Sequence, residues 1–379
     1  MPEVLGVAVL GYGGIARAHI NALRRHAEAF PDAPAAGRLA VLAGRNAAGV
    51  AAAARRFGAP RWTTDWETVL GDAGINAVIN AGPNDAHAEP SIAALRAGKA
   101  VLCEKPLART ADQAEAMARA AAAEAGPGVT GFNYRFVPAV LMARRLILDG
   151  HLGRLYHFRG RYSDDSLLDP EAEYGWRHDR EIAGSGVIAD LGSHLIDLAH
   201  FLAGPIVAVS AAIRTYTPER PAGERRRTVT VEDAVVATLE FENGAIGTLE
   251  ASGMCAGRKN LLGFEISGER GTLAFNLERL NELRVYHGDG EARGLADVLV
   301  TERDHPYGGR WWPPGHILGW EHTFVHQWEE FVRRTLRAGG EIVGATFADG
   351  HEAARVGDAL LAAAETGRRM PLHSVKESG

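Results

Sequence analysis

The sequence predicts an α/β chain in two parts: a doubly wound parallel sheet first, then an α+β domain built on a mostly antiparallel open sheet. Three observations predict it. Strand-like and helix-like stretches alternate from the start to about Arg135, and such alternation makes a parallel sheet covered by helices. Beyond that point apolar strands follow one another with short turns between them, the pattern of antiparallel pairing. The length, 379 residues, suits two domains better than one. The boundary is expected at 133/134, giving domains 1–133 and 134–379.

In the first part the expected strands are 5–10, 39–43, 77–80, 100–103 and 129–132. The helices between them are 16–26, 47–57, 86–97 and 110–125, all rich in alanine. Pro106 precedes the last of these and Gly126-Pro127-Gly128 closes it, good start and stop signals. An acidic, Pro- and Ala-rich insert, 28–37, lengthens the first crossover. In the second part a helix at 139–149 leads to a strand at 154–163 and a helix at 187–202. Strands then follow at 207–216, 234–241, 245–252, 263–267, 271–276 and 282–286. Glu242-Asn243-Gly244 is a hairpin turn, since Asn-Gly accepts the positive φ of a type I′ turn. Helices at 321–337 and 347–366 end the chain.

Bulk composition excludes several classes. Apolar residues at 46% suffice for sizeable cores, and the net charge of −6 argues against a nucleic-acid partner. Arg225-Arg226-Arg227 reads as a polar loop. Two cysteines, Cys103 and Cys255, form no disulfide framework and suit a reducing compartment. No stretch of about 18 apolar residues suggests a membrane span, and a cytoplasmic protein is expected.

The chemistry begins at the first turn. The run 7–10 is apolar and ends in Gly11-Tyr12-Gly13-Gly14-Ile15-Ala16, a G-x-G-x-x-A pattern followed at once by a helix. Gly11 allows the turn, Gly13 lets a pyrophosphate approach the backbone, and Ala16 keeps the helix close to the sheet. The helix N–H groups then face the anion, which is the dinucleotide arrangement of a Rossmann domain. Glu104-Lys105-Pro106 stands just past the carboxyl end of a parallel strand, the edge where such sheets bind ligands. A lysine there can donate to an oxygen on which charge develops. Two further runs stand at strand ends: Ala81-Gly82-Pro83-Asn84-Asp85-Ala86-His87 and Asn133-Tyr134-Arg135. On the helix 187–202, Asp190, His194 and Asp197 share one face at i, i+4, i+7. A carboxylate beside an imidazole orients it for proton transfer. The Asp-x-x-x-His spacing has no third ligand nearby. His316, His322 and His326 also invite a metal reading, the last two at i, i+4, but no Glu-x-x pattern of a metalloprotease joins them and no cysteine is near, so no metal is expected. The loop 305–320 concentrates Tyr307, Trp311, Trp312 and Trp320, suited equally to a sugar face or a subunit contact.

Together, Gly11 to His19, Ala81 to His87, Glu104-Lys105-Pro106, Asn133-Tyr134-Arg135 and Asp190…His194 resemble the glucose–fructose oxidoreductase/inositol dehydrogenase family, Gfo/Idh/MocA. The resemblance covers nearly the whole chain in the family's order. Asn133-Tyr134-Arg135, Trp176-Arg177, Ala183-Gly184-Ser185-Gly186 and His305-Pro306-Tyr307-Gly308 look most like its anhydrosugar-oxidising branch. The resemblance implies an NAD(P)-dependent oxidoreductase for a secondary hydroxyl of a sugar, anhydrosugar or cyclitol. Lys105 is then the catalytic lysine, His194 takes the hydroxyl proton, and Asp190 holds His194 or a neighbouring hydroxyl. Gly11, Tyr12, Gly13, Gly14, Ile15, Arg45, Asn46, Pro83, Asn84, His87, Glu104 and Lys105 bind the cofactor. Asn133, Tyr134, Arg135, Trp176, Arg177 and His194 line the substrate pocket. Other enzymes on this architecture cleave glycosides with tightly held NAD, and a non-catalytic sugar sensor is the remaining alternative.

One position departs from the dinucleotide pattern. The second strand ends Ala43-Gly44-Arg45-Asn46, where an acid normally holds the adenosine ribose of NAD. Its loss and the adjacent Arg45 predict a modest preference for NADP over NAD. The alternating residues Val235, Ala237, Leu239, Leu249 and Ala251 suggest contact on more than one face of the second sheet. A homodimer or homotetramer built on that sheet is expected.

Overall fold

The computed structural model describes residues 3–124, 126–287 and 293–372. The chain divides into two compact units, 1–136 with 318–351 and 137–317 with 352–379.

In the first unit β1 (Glu3–Leu10), β2 (Ala35–Ala43), β3 (Arg61–Thr63), β4 (Ala77–Asn80), β5 (Ala100–Cys103) and β6 (Gly128–Thr130) form one sheet in the order β3-β2-β1-β4-β5-β6. Every pairing is parallel. The helices α1 (Gly14–Ala29), α2 (Ala47–Phe57), α3 (Ala88–Arg96) and α4 (Ala111–Ala123) make the crossovers. Val7, Ala8 and Val9 have no exposed surface, as a strand covered on both faces requires. The order reverses between β1 and β4, which opens a crevice at their carboxyl ends. The expected strands and helices stand where the sequence put them, apart from their ends. Residue 125, the last of the predicted fourth helix, lies outside the described residues.

Three details differ from expectation. The short strand β3 was not foreseen, since its residues are exposed or half-buried. Half of the insert at 28–37 is regular structure: α1 runs to Ala29, and Ala35–Gly37 already pairs with Glu3–Leu5, which leaves 30–34 as the connection. And 318–351 returns to the first unit instead of completing the second. Its helix α8 (His322–Thr335) is held to α1 by Glu329 and His26, 2.6 Å apart and both buried. Gly37 makes room for it: a Cβ there would lie 2.5 Å from Trp328 Cζ2.

The second unit carries α5 (Pro138–Leu148), β7 (Leu155–Ser163), α6 (Arg180–Ala183), a π-turn (Ile188–Gly192) and α7 (Ser193–Ala203). The strands β8 (Ile206–Arg214), β9 (Glu219–Ala222), β10 (Arg225–Thr228), β11 (Ala234–Phe241), β12 (Ile246–Ser252), β13 (Leu261–Gly268), β14 (Thr272–Asn276), β15 (Glu282–His287) and β16 (Gly294–Leu299) follow. Then come α8 (His322–Thr335) of the first unit, α9 (Phe347–Thr366), which begins in the first unit and ends in the second, and β17 (Met370–Pro371). The nine-stranded sheet has the order β16-β15-β14-β13-β7-β12-β11-β8-β17. It is antiparallel except where β12 meets β7. Arg225-Arg226-Arg227, read as a loop, is instead β10 of a two-stranded hairpin with β9. Its side chains still face solvent, which is why the run looks like loop.

Val235, Ala237, Leu239, Leu249 and Ala251 are each at most 3% exposed. Strand alternation puts them on one face only, so they do not show a second buried face. The opposite face carries Val236 at 58% and Ile246 at 55% exposure. The helical stretch Arg180–Ala203 is long and apolar enough to cross a membrane, though the sequence suggested no such span, but 78% of its apolar window is buried inside the protein.

Candidate active site

In the first unit the site is built around the β1–α1 turn. Gly11 has φ +97°, and a Cβ there would sit 2.4 Å from the Ala81 carbonyl oxygen. Only glycine fits both constraints. Gly13 and Gly14 are the reverse: a Cβ on either would meet nothing within 4 Å. Gly13 caps α1 without a side-chain hydrogen bond, and no acid stands in the first turn. The helix N-terminus is therefore an anion cradle with backbone donors and no competing carboxylate of its own. A dinucleotide pyrophosphate fits it. Ile15 is the second residue of α1.

Around this turn the predicted residues take distinct places. The Tyr12 ring lies against Gly44, where a Cβ would come within 2.4 Å of Cε1. Asn46 caps α2 by accepting from the Gly49 N–H at 2.8 Å, so its side chain is engaged in folding. Arg45 is 80% exposed at its side chain, with Nη1 3.9 Å from Asp85 Oδ2. Pro83 and the buried Asn84 form the turn after β4.

That turn is organised by Asn80, which sequence reasoning missed. Its Nδ2 donates to the Ala86 carbonyl at 2.9 Å and the His87 carbonyl at 3.2 Å, and its Oδ1 accepts from Gly82 N–H at 3.3 Å. A polar residue ending an otherwise apolar buried strand is the signal that could have found it. His87 is buried, with Nδ1 2.9 Å from the Pro106 carbonyl and Nε2 3.1 Å from the Gly82 carbonyl. Burial lowers its pKa, while those carbonyls pull the other way. It is a strut between the turns after β4 and β5.

Glu104 is likewise buried and accepts the Lys105 N–H at Oε2, 3.1 Å away. Its Oε1 lies 2.8 Å from His19 Nε2 on α1. His19 is a second residue missed, although it closes the Gly11 to His19 motif. Its ring meets Phe324 edge-on at 5.0 Å. Gly131 leaves room for Glu104, since a Cβ there would lie 2.9 Å from it. The backbone N–H of Lys105, half-buried beyond β5, is thereby tied through Glu104 to His19 on α1. Among the described residues no group of three or more His, Cys, Asp or Glu could hold a metal. His326 is fully buried with Nδ1 3.1 Å from the Phe136 carbonyl, and burial holds its pKa down at about 3.

Asn133, Tyr134 and Arg135 form one 3₁₀ turn and are all buried. Asn133 Nδ2 donates to Thr323 Oγ1 at 2.9 Å. Arg135 donates to the Val343 carbonyl at 3.3 Å and pairs with Asp349 at 3.2 Å. Burial raises the Asp349 pKa, and Arg135 and Thr346 more than offset it, so the net direction is down. The sequence placed Arg135 in a sugar pocket; the structure gives its guanidinium a clamping role inside the first unit.

In the second unit Asp190 lies within the π-turn and His194 in the first turn of α7. The wider i→i+5 turn breaks the α-helical phase assumed for the pair. Asp190 Oδ2 lies 3.6 Å from Arg177 Nε. The Arg177 guanidinium also stacks 4.3 Å over the Trp176 ring, so Trp176, Arg177 and Asp190 form one connected group. His194 and Asp197 are buried, and the His194 ring sits 6.1 Å from that of Tyr162. Glu232, not foreseen, steadies the π-turn. Its Oε1 accepts the Ile188 N–H at 2.9 Å and its carbonyl the Val187 N–H at 3.1 Å. Gly186 passes so close that a Cβ would lie 2.1 Å from the Glu232 carbonyl oxygen. Burial raises the Glu232 pKa against these backbone donors. In the aromatic loop Trp312 is 52% exposed.

A parallel sheet with a glycine cradle at its switch point and a fixed Glu-Lys step beside it defines a dinucleotide-dependent oxidoreductase. Residues 5–129 match the profile of the GFO/IDH/MocA oxidoreductase family, NAD-binding Rossmann fold, and residues 140–274 match the GFO/IDH/MocA C-terminal domain. The chain is 38% identical over 377 residues to levoglucosan dehydrogenase of Pseudarthrobacter phenanthrenivorans, covering 95% of this chain and 96% of that protein. A solved structure titled levoglucosan dehydrogenase in complex with NADH and levoglucosan superposes with a TM-score of 0.93 at 38% identity, covering 97% of this chain and 99% of that one. An oxidoreductase domain protein from Kribbella flavida gives a TM-score of 0.94 at 42% identity, covering 99% of this chain and 100% of that chain. The chain belongs to the GFO/IDH/MocA oxidoreductase family.

Proposed function

We propose that this chain is a dehydrogenase moving a hydride between a nicotinamide dinucleotide and a secondary hydroxyl of a sugar, anhydrosugar or cyclitol. The observation that carries the reading is the braced Glu104-Lys105 step beyond β5, in the same unit as the uncapped glycine cradle. When bound, the nicotinamide supplies the hydride acceptor. The chain's residues manage the charge and the proton. Lys105 donates to the substrate oxygen as negative charge develops on it. His194 takes the hydroxyl proton. Arg177, braced by Asp190, and Trp176 offer a cation and an aromatic face to the sugar, and Asn133 and Tyr134 complete the substrate contacts.

The test is a screen for the reduced-nicotinamide absorbance band with both dinucleotides and a panel of polyols. Levoglucosan heads the panel because a relative of 38% identity is named for it. Substrate-dependent accumulation of NADH or NADPH is expected. Sugar turnover with no free reduced cofactor overturns the reading and points to a glycosidase with held NAD.

The second finer reading concerns the cofactor. The predicted NADP preference rested on Gly44 and Arg45. Tyr12 packs against Gly44 and an Asp85 carboxylate attends Arg45. These contacts favour NAD as the working cofactor, and beside the Asp85 carboxylate Arg45 contributes little to holding a phosphate. The third concerns assembly. The exposed Val236 and Ile246 on neighbouring strands support a homodimer or homotetramer formed on the outer face of the nine-stranded sheet. Light scattering at micromolar concentration is expected to give two or four copies, and Val236→Lys with Ile246→Lys to give monomers. A monomeric wild type contradicts it. The unpaired Cys103 and Cys255 suit a reducing compartment, and the cytoplasm is the proposed location.

A further inference from the structure

We infer that Asp85, in the turn after β4, is the residue that selects NAD over NADP in this chain; the inference rests on the dehydrogenase reading above. In dinucleotide folds the selecting carboxylate ordinarily ends the second strand, where it accepts from the ribose 2′-hydroxyl and repels a 2′-phosphate. Here that position is Gly44, and the space beside it is filled. A Cβ on Gly44 would lie 2.4 Å and 2.6 Å from two Tyr12 ring carbons. The same ring reaches on to α2, where a Cβ on Gly49 would lie 2.7 Å from the Tyr12 hydroxyl. An acid cannot stand at 44 while Tyr12 covers the strand end.

A carboxylate reaches the neighbourhood from another strand. Arg45, the next residue, extends its guanidinium to within 3.9 Å of Asp85 Oδ2. Asp85 follows β4, the strand that pairs with β1 on the side opposite β2. It therefore stands across the switch point from the missing acid, within one arginine side chain of it. Its other oxygen, Oδ1, is shielded from solvent and accepts no hydrogen bond among the described residues. A buried carboxylate oxygen without a donor is costly unless a ligand supplies one. A ribose hydroxyl is such a donor; a phosphate dianion brings no donor and adds like charge. Asp85 also partly neutralises Arg45, the cation that follows Gly44.

The test is direct binding of NADH and NADPH to the purified full chain, without substrate, read by nucleotide fluorescence or calorimetry. Wild type is expected to bind NADH more tightly. Asp85→Asn should move the affinity ratio toward NADPH by about tenfold or more, as removal of an opposing charge at this range implies. Asp85→Ser serves as the second variant, with a thermal melt confirming that both fold. Adding Arg45→Ala to Asp85→Asn should take back most of the NADPH gain. An unchanged ratio, or equal weakening of both nucleotides, overturns the inference and makes Asp85 an adenine-side or purely structural residue. Tighter NADPH binding by wild type overturns it as well. If wild type binds neither nucleotide, it is the dehydrogenase reading that fails.

Discussion

Lys105→Ala is expected to lower kcat by about 10²–10³-fold, which corresponds to the roughly 2.7–4 kcal/mol carried by one oxyanion-directed donor. His194→Ala should lower it by about 10²–10⁴-fold, the range for a positioned general base. The two losses have different structural costs. Lys105 is half-buried, and its backbone is held through Glu104, whose partners His19 and Gly131 do not depend on the lysine side chain. Its variant should fold and still bind NADH, with the loss falling mainly on kcat. His194 is buried beside Tyr162, so its alanine variant loses packing too. His194→Asn keeps more of the volume and separates chemistry from folding. Stopped-flow and steady-state rates on the substrate found in the screen, with NADH titrations beside them, make the check. Near wild-type turnover in either folded variant would remove that residue from the chemical step.

Much of this was legible because the cofactor half is written locally. The turn at Gly11, the step at Glu104-Lys105 and the run 81–87 each need particular residue types within a few positions, so the sequence carries them whole. What it hid were demands set by residues far apart. Arg135 looks like a pocket cation until Asp349, more than two hundred positions on, is seen to hold it. The return of 318–351 to the first unit depends on Glu329 meeting His26 and Trp328 filling the space over Gly37. No periodicity reports either. The Asp190–His194 spacing was read in α-helical phase, but Glu232, from the start of a later strand region, holds the segment in a wider turn. Likewise Gly44 reads as a lost acid, and only the Tyr12 ring shows that the space is filled. Gly44→Asp, which on sequence alone would restore an NAD contact, is therefore expected to displace Tyr12 first.

Gly11→Ala is expected to damage both the fold of the first unit and its hold on the dinucleotide. Two separate costs meet at this residue. Its φ of +97° lies where side chains other than glycine are strained, and the new Cβ would stand 2.4 Å from the Ala81 carbonyl oxygen and 2.8 Å from its carbon. Strain of this kind costs about 1–3 kcal/mol, and the overlap adds roughly 1–3 kcal/mol more. Neither contact can relax cheaply, because both partners are backbone. Gly11 N–H donates to the Ala43 carbonyl at 2.9 Å, and Ala81 N–H to the Leu10 carbonyl at 2.8 Å. Moving either chain end loosens β1 from β2 or from β4, at the point where the crevice opens. For a chain of this size the melting temperature should fall by roughly 3–8 °C. NADH affinity should fall more than tenfold even at temperatures where the variant is folded, because the start of α1 no longer presents its N–H groups to the pyrophosphate. Gly13→Ala makes the internal comparison. A Cβ there meets no protein atom within 4 Å, so it should melt near wild type while still weakening NADH, the added methyl standing where the phosphates approach. Differential scanning calorimetry and NADH titration on the two variants separate a glycine required by the fold from one required by the ligand. Equal melting temperatures for Gly11→Ala and wild type would show that the turn does not depend on this backbone geometry.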